Sequence, residues 1–184
     1  MIELRQNSFF HNFLKILPLI LLFISVFNEF DANYFGIPFL SFNFAYILIF
    51  YFTLKAIDYF GYGLIFLTGL VNDTVTGLPL GVSSFCYMII CIFSSYFRSI
   101  TLRPTIMKDW LFFLITISVT NSIYYLILSY YFIVELDYRF LLVNNFTTFL
   151  LFFFFYFIFN LYYKKFLGSS DVWYQWQCKK SKYN

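Results

Sequence analysis

The sequence predicts an all-α fold: a polytopic membrane protein with six transmembrane helices, for which three observations speak. Apolar residues make up 61% of the 184 and charged residues 11%, with a mean hydropathy of +0.76. That leaves too little polar surface to solvate a soluble globule of this length. The apolar runs are long and unalternating, as in Phe149 to Phe159, which fits membrane helices and excludes barrel strands. Charge is also one-sided. With both termini cytoplasmic, eleven of the twelve lysines and arginines fall on one face, leaving Arg139 alone on the other. Five of the nine acids, Glu29, Asp31, Asp73, Glu135 and Asp137, fall opposite.

Met1 to Asn12 is a short polar start with Glu3, Arg5 and His11, followed by a first span of about Phe13 to Phe27 with a kink point at Pro18. Positive charge before an apolar core resembles a secretory signal. Asn28 to Asn33, however, offers no small-x-small cleavage site, so an uncleaved anchor is expected. An acidic linker to Gly36 precedes the second span, about Ile37 to Leu54, which Pro38 opens and Lys55 closes. The third run, Tyr59 to Val71, is short for a crossing, and extending it through Asn72 to Thr76 draws Asp73 to the membrane edge. Its glycines, Gly61, Gly63 and Gly69, leave a thin surface for a neighbouring helix.

The fourth span, Leu80 to Phe97, ends in the basic loop Arg98 to Lys108. A fifth runs from an interfacial Trp110 to about Val134, and a sixth from about Phe140 to Tyr163, stopping at Lys164-Lys165. Residues 1–163 thus form one six-helix transmembrane domain. Residues 164–184 form a basic, aromatic cytoplasmic tail with Trp173, Trp176, Lys179, Lys180 and Lys182. In the fifth and sixth spans Thr116 and Thr120, Ser118 and Ser122, and Asn144 and Thr148 are each four apart. They are read as interhelical glue, with a polar ligand cavity as the minority alternative. The thirty phenylalanines make the spans bulky, which is read as base composition and lipid contact rather than a ligand site.

Gly69 to Gly81 differs from this filler, joining a carboxylate, three glycines, a proline and two threonines between two apolar runs. Gly77-Leu-Pro79-Leu-Gly81 reads as a tight turn feeding a new helix, with Pro79 suited to a first helical position. Asp73 stands where a carboxylate is costly, so it needs a partner. The free N–H groups at the start of the next helix are the nearest. If hydrogen bonding is its role, Asp73→Asn keeps much of the function, whereas Asp73→Ala loosens the turn.

Several functional classes lack their residues. His11 is the only histidine, and Cys86, Cys91 and Cys178 are not spaced as a metal site. No nucleotide-binding glycine loop, Ser/His/Asp set or buried pair of carboxylates occurs, so neither catalysis nor a cofactor is expected. The basic tail lies beside the membrane, which makes the anionic headgroups of the lipid bilayer its expected partner rather than nucleic acid.

Gly69, Leu70, Asp73, Gly77, Pro79 and Gly81 together resemble the hallmark of the bacterial rod shape-determining MreD family, loosely G-L-x-x-D-x-x-x-G-x-P-L-G. Pro38, Tyr51 to Leu54, Gly63, Phe66 and Arg98 sit at similar distances, and the resemblance covers roughly residues 35–128. The connection Lys55 to Gly61 departs from it in lacking a proline. The resemblance implies a non-enzymatic inner-membrane component of the cell-wall elongation complex. Its partners are then MreC, MreB, and RodA with its penicillin-binding partner. It also implies a fold similar to the substrate-binding subunits of vitamin transporters. A substrate-binding subunit of a small-molecule transporter is the alternative function, with its pocket in the fifth and sixth spans.

Overall fold

Every side chain from Tyr46 to Leu54 is buried, so the helix carrying them has no outward face. Its almost wholly apolar sequence is the composition an internal helix needs. The computed structural model describes residues 7–27, 42–55, 61–101, 105–132 and 138–163. In chain order the helices are α1 (Asn7–Phe27), α2 (Phe44–Lys55), α3 (Tyr62–Thr76), α4 (Val82–Ile100), α5 (Ile106–Leu126) and α6 (Tyr138–Tyr162). A π-helical turn, Ile127–Tyr131, prolongs α5. Helix α2 lies against α1, α4 and α6, while α4 packs on α3 and α5, and α5 on α6. The fold is all-α among the described residues.

Among the described residues three helical segments are long and apolar enough to cross a membrane: Val82–Ile100, Ile106–Tyr131 and Leu141–Tyr162. Helix α1 has 21 residues, but its apolar segment as described, Ile16–Val26, is shorter than a crossing. Helix α3 has 15 residues, about 22 Å at 1.5 Å per residue, against a hydrocarbon core of about 30 Å. The apolar segments Ile16–Val26 and Phe44–Lys55 are shorter still. Several expectations lie outside the described residues: the acidic linker and Pro38, the connection 56–60, Arg103, and the basic tail.

Aromatic rings fill the region where α2, α5 and α6 meet. Phe113 and Phe152 stack with centroids 4.1 Å apart, and Phe50 meets them edge-on at 5.2 and 5.7 Å. All three are fully buried, so these phenylalanines pack in the core rather than in contact with lipid. Such contacts add about 0.5–1.5 kcal/mol each beyond area burial.

The polar rows of α5 and α6 work differently from the expected glue. Thr116, Ser122 and Thr148 donate to carbonyls four residues back in their own helices, at 2.8, 2.8 and 2.7 Å. Of these hydroxyls, Thr148 also reaches outside its helix, accepting the Asn43 N–H at 3.0 Å. Helix α4 carries further bonds between helices. Ser84 donates to the Phe66 carbonyl of α3, and Ser94 to the Phe50 carbonyl of α2, both at 3.0 Å. Trp110 likewise joins helices, its indole N–H meeting the Phe149 carbonyl at 3.1 Å while its ring stacks on that side chain.

Candidate functional site

Asp73 occupies the last turn of α3 and is fully buried. Its backbone and its side chain do separate jobs. The carbonyl oxygen accepts the N–H groups of Gly77 and Leu78, which closes α3. Gly77 is left-handed there (φ 69°), the conformation that ends a helix with least strain when the residue is glycine. The carboxylate then opens α4: Oδ2 accepts the Gly81 N–H at 2.7 Å and Oδ1 accepts the Ser83 N–H at 2.9 Å. Gly81, at φ 102°, is the residue before the helix. A single aspartate therefore fixes both ends of the turn.

The charge of Asp73 is set against these N–H groups and the positive end of the α4 dipole, with no cation paired to it among the described residues. Pro79 is not at a first helical position. It lies in the turn and its carbonyl accepts the Val82 N–H at 3.3 Å. Behind the turn α3 and α4 are in close contact. A Cβ on Gly69 would stand 2.4 Å from the Ser84 Cα, and Asn72 Nδ2 donates to Ser83 Oγ at 2.9 Å.

The three glycines expected to thin α3 for a neighbour are used differently. Gly69 is taken up by α4 of the same chain, while a Cβ on Gly63 would meet nothing within 4 Å. Leu70 is half-buried. The outward face of α3 includes Tyr62, Gly63, Leu64, Phe66, Leu67, Thr74 and Val75. At its other end Tyr62 and Ser95 share a hydrogen bond of 3.1 Å.

A second polar cluster was not apparent in the sequence. Lys55, the last residue of α2, pairs with Asp109 in the first turn of α5 at 3.0 Å. The Tyr156 hydroxyl of α6 donates to the same Asp109 oxygen at 3.0 Å. Lys55 Nζ also sits 5.7 Å from the Tyr156 ring centroid. Beside them the Tyr51 ring meets that of Tyr156 at 5.3 Å, and the buried Tyr51 hydroxyl has no partner among the described residues. One signal pointed here. Asp109 is an acid at the start of an apolar run, on the face where the cations gather.

Among the described residues no three His, Cys, Asp or Glu side chains converge in a way that could hold a metal ion. Comparison with family models, curated proteins and solved structures gave no match to the chain. The fold and the turn define a class: an all-α protein with several long apolar helices, consistent with a polytopic membrane protein.

Proposed function

We propose that this chain is a non-enzymatic scaffold of the MreD type in the bacterial inner membrane, serving lateral cell-wall elongation and rod shape. On this reading it crosses the membrane six times, keeps both termini in the cytoplasm and turns the Asp73 bend outward. The observation that carries the proposal is the fourfold use of Asp73, which locks α3 to α4 at the residues that bear the resemblance. A locked pair presents a fixed surface. The apolar outward face of α3, open at Gly63, accepts a membrane helix of a partner such as MreC, raising its local concentration and fixing its orientation. MreB and RodA with its penicillin-binding partner then assemble around that contact.

Depletion in the native host tests the proposal. Rod cells should round, and MreC should copurify from solubilised membranes. Unchanged cell shape would overturn it. Orientation is tested separately by an alkaline phosphatase fused after Asn184, which should stay inactive.

A further inference from the structure

Helix α3 reaches the surface of the bundle, yet its length is fixed at both ends. Gly61 before it is extended (φ −66°, ψ 127°) and Gly77 after it is left-handed, so the helix stops on either side. From Tyr62 to Val75 its exposed side chains span about 20 Å. On α6 the exposed run from Leu142 to Leu161 spans about 28 Å, close to a hydrocarbon core of about 30 Å. The shortfall of α3 lies at its start. Tyr62 is level with Ser95, to which it bonds, whereas α4 continues from there to Ile100, about 7 Å further, with Tyr96 and Ile100 exposed. Asp58 precedes Tyr62 by four residues in the sequence, and a carboxylate is costly in hydrocarbon.

We propose that the outward face of α3 is a lipid-interaction surface that thins the bilayer beside it and selects phospholipids with short acyl chains. A helix shorter than the hydrocarbon is accommodated by snorkelling of flanking residues, by association with another helix, or by thinning of the bilayer. Tilting does not help, because it shortens the span further, and close packing of Gly69 on the Ser84 backbone ties α3 to α4. Snorkelling has no means here: α3 carries no lysine or arginine, and the Tyr62 hydroxyl is taken by Ser95. Leu64, Phe66 and Leu67 face outward beside Phe85 and Ile92 of α4, a continuous apolar surface that hydrocarbon covers. The lipid against it must compress by about 10 Å, and shorter chains do so with less strain. A membrane helix that covered α3 would release this lipid, so the thinning adds to the docking proposed above without depending on it.

The test uses the full chain alone in liposomes, with a bimane fluorophore attached at Leu67→Cys on α3 or at Leu150→Cys on α6, both exposed positions. Cys86 and Cys91 are buried, and Cys178→Ser removes the third thiol. Dibromostearoyl-phosphatidylcholine quenches the fluorophore from the adjoining lipid. Its displacement by short-chain dimyristoleoyl- or long-chain dierucoyl-phosphatidylcholine gives the relative affinity of each for that site. At Leu67→Cys the short-chain lipid should bind about threefold more tightly than the long-chain one, and at Leu150→Cys it should have no such advantage. Leu64→Cys, also exposed, provides the α3 site if the first variant does not fold. The proposal is overturned by the same preference at both helices or by a long-chain preference at α3. It is equally overturned by a lack of bromine quenching at α3, which would mean that a second copy of the chain covers the face.

Discussion

Lys55 Nζ lies 3.0 Å from Asp109 Oδ2, tying the last residue of an internal helix to the first turn of another. The two partners are not equivalent. Asp109 is short and its side chain only 2% exposed, whereas Lys55 has a flexible stem and is 12% exposed. Lys55→Met strands a buried carboxylate, at an expected cost of about 3–5 kcal/mol. Asp109→Leu leaves a lysine that can reach the surface, costing less, roughly 1–3 kcal/mol. Unfolding in detergent micelles, with the double variant closing the cycle, measures both. Equal costs would refute the asymmetry.

Asp73 uses both carboxylate oxygens, on Gly81 and on Ser83, and this revises what asparagine should do there. An amide has only one accepting oxygen and turns its own N–H groups toward the second donor. Asp73→Asn is therefore expected to lose about 1.5–3 kcal/mol, and Asp73→Ala more. Faster amide exchange at one of the two N–H groups in the asparagine variant and at both in the alanine variant would bear this out.

Gly69 and Gly63 belong to one helix and should respond oppositely to alanine. At Gly69 the new methyl would overlap the Ser84 backbone, which cannot rotate away, so α3 and α4 must part. The cost is about 1–3 kcal/mol or more. Gly63→Ala meets open space and should stabilise α3 by about 0.5–1 kcal/mol. Melting curves that placed both variants on the same side of wild type would contradict the packing.

Tyr51→Phe removes a buried hydroxyl that bonds to nothing among the described residues while keeping the ring contacts with Tyr156 and Phe159. Stability should rise by about 1 kcal/mol. A drop in the unfolding midpoint would mean that the hydroxyl has a partner.

Much of the Asp73 turn was legible because it is local. Asp73 and Ser83 are ten residues apart, and the spacing of aspartate, glycine and helix start leaves the carboxylate few other donors. The same reading erred where spacing was not enough. Four-residue intervals in α5 and α6 suggested contacts between helices, yet a hydroxyl at that interval bonds its own backbone just as well, as Thr116 and Ser122 do. The serines that do bond neighbouring helices, Ser84 and Ser94, stand ten residues apart on α4.

Composition and run length determine an all-α chain of long apolar helices, because only intrahelical hydrogen bonds satisfy the backbone of such segments. The bend at Asp73 is likewise written in residues close enough to meet without knowing where any helix lies. Only the tertiary structure decided that α2 is internal, that Gly69 rather than Gly63 receives α4, and that Lys55 and Tyr156 converge on Asp109. An apolar helix reads the same whether it faces lipid or protein, and groups as far apart as Asp109 and Tyr156, 47 residues, meet only once the helices have chosen their neighbours.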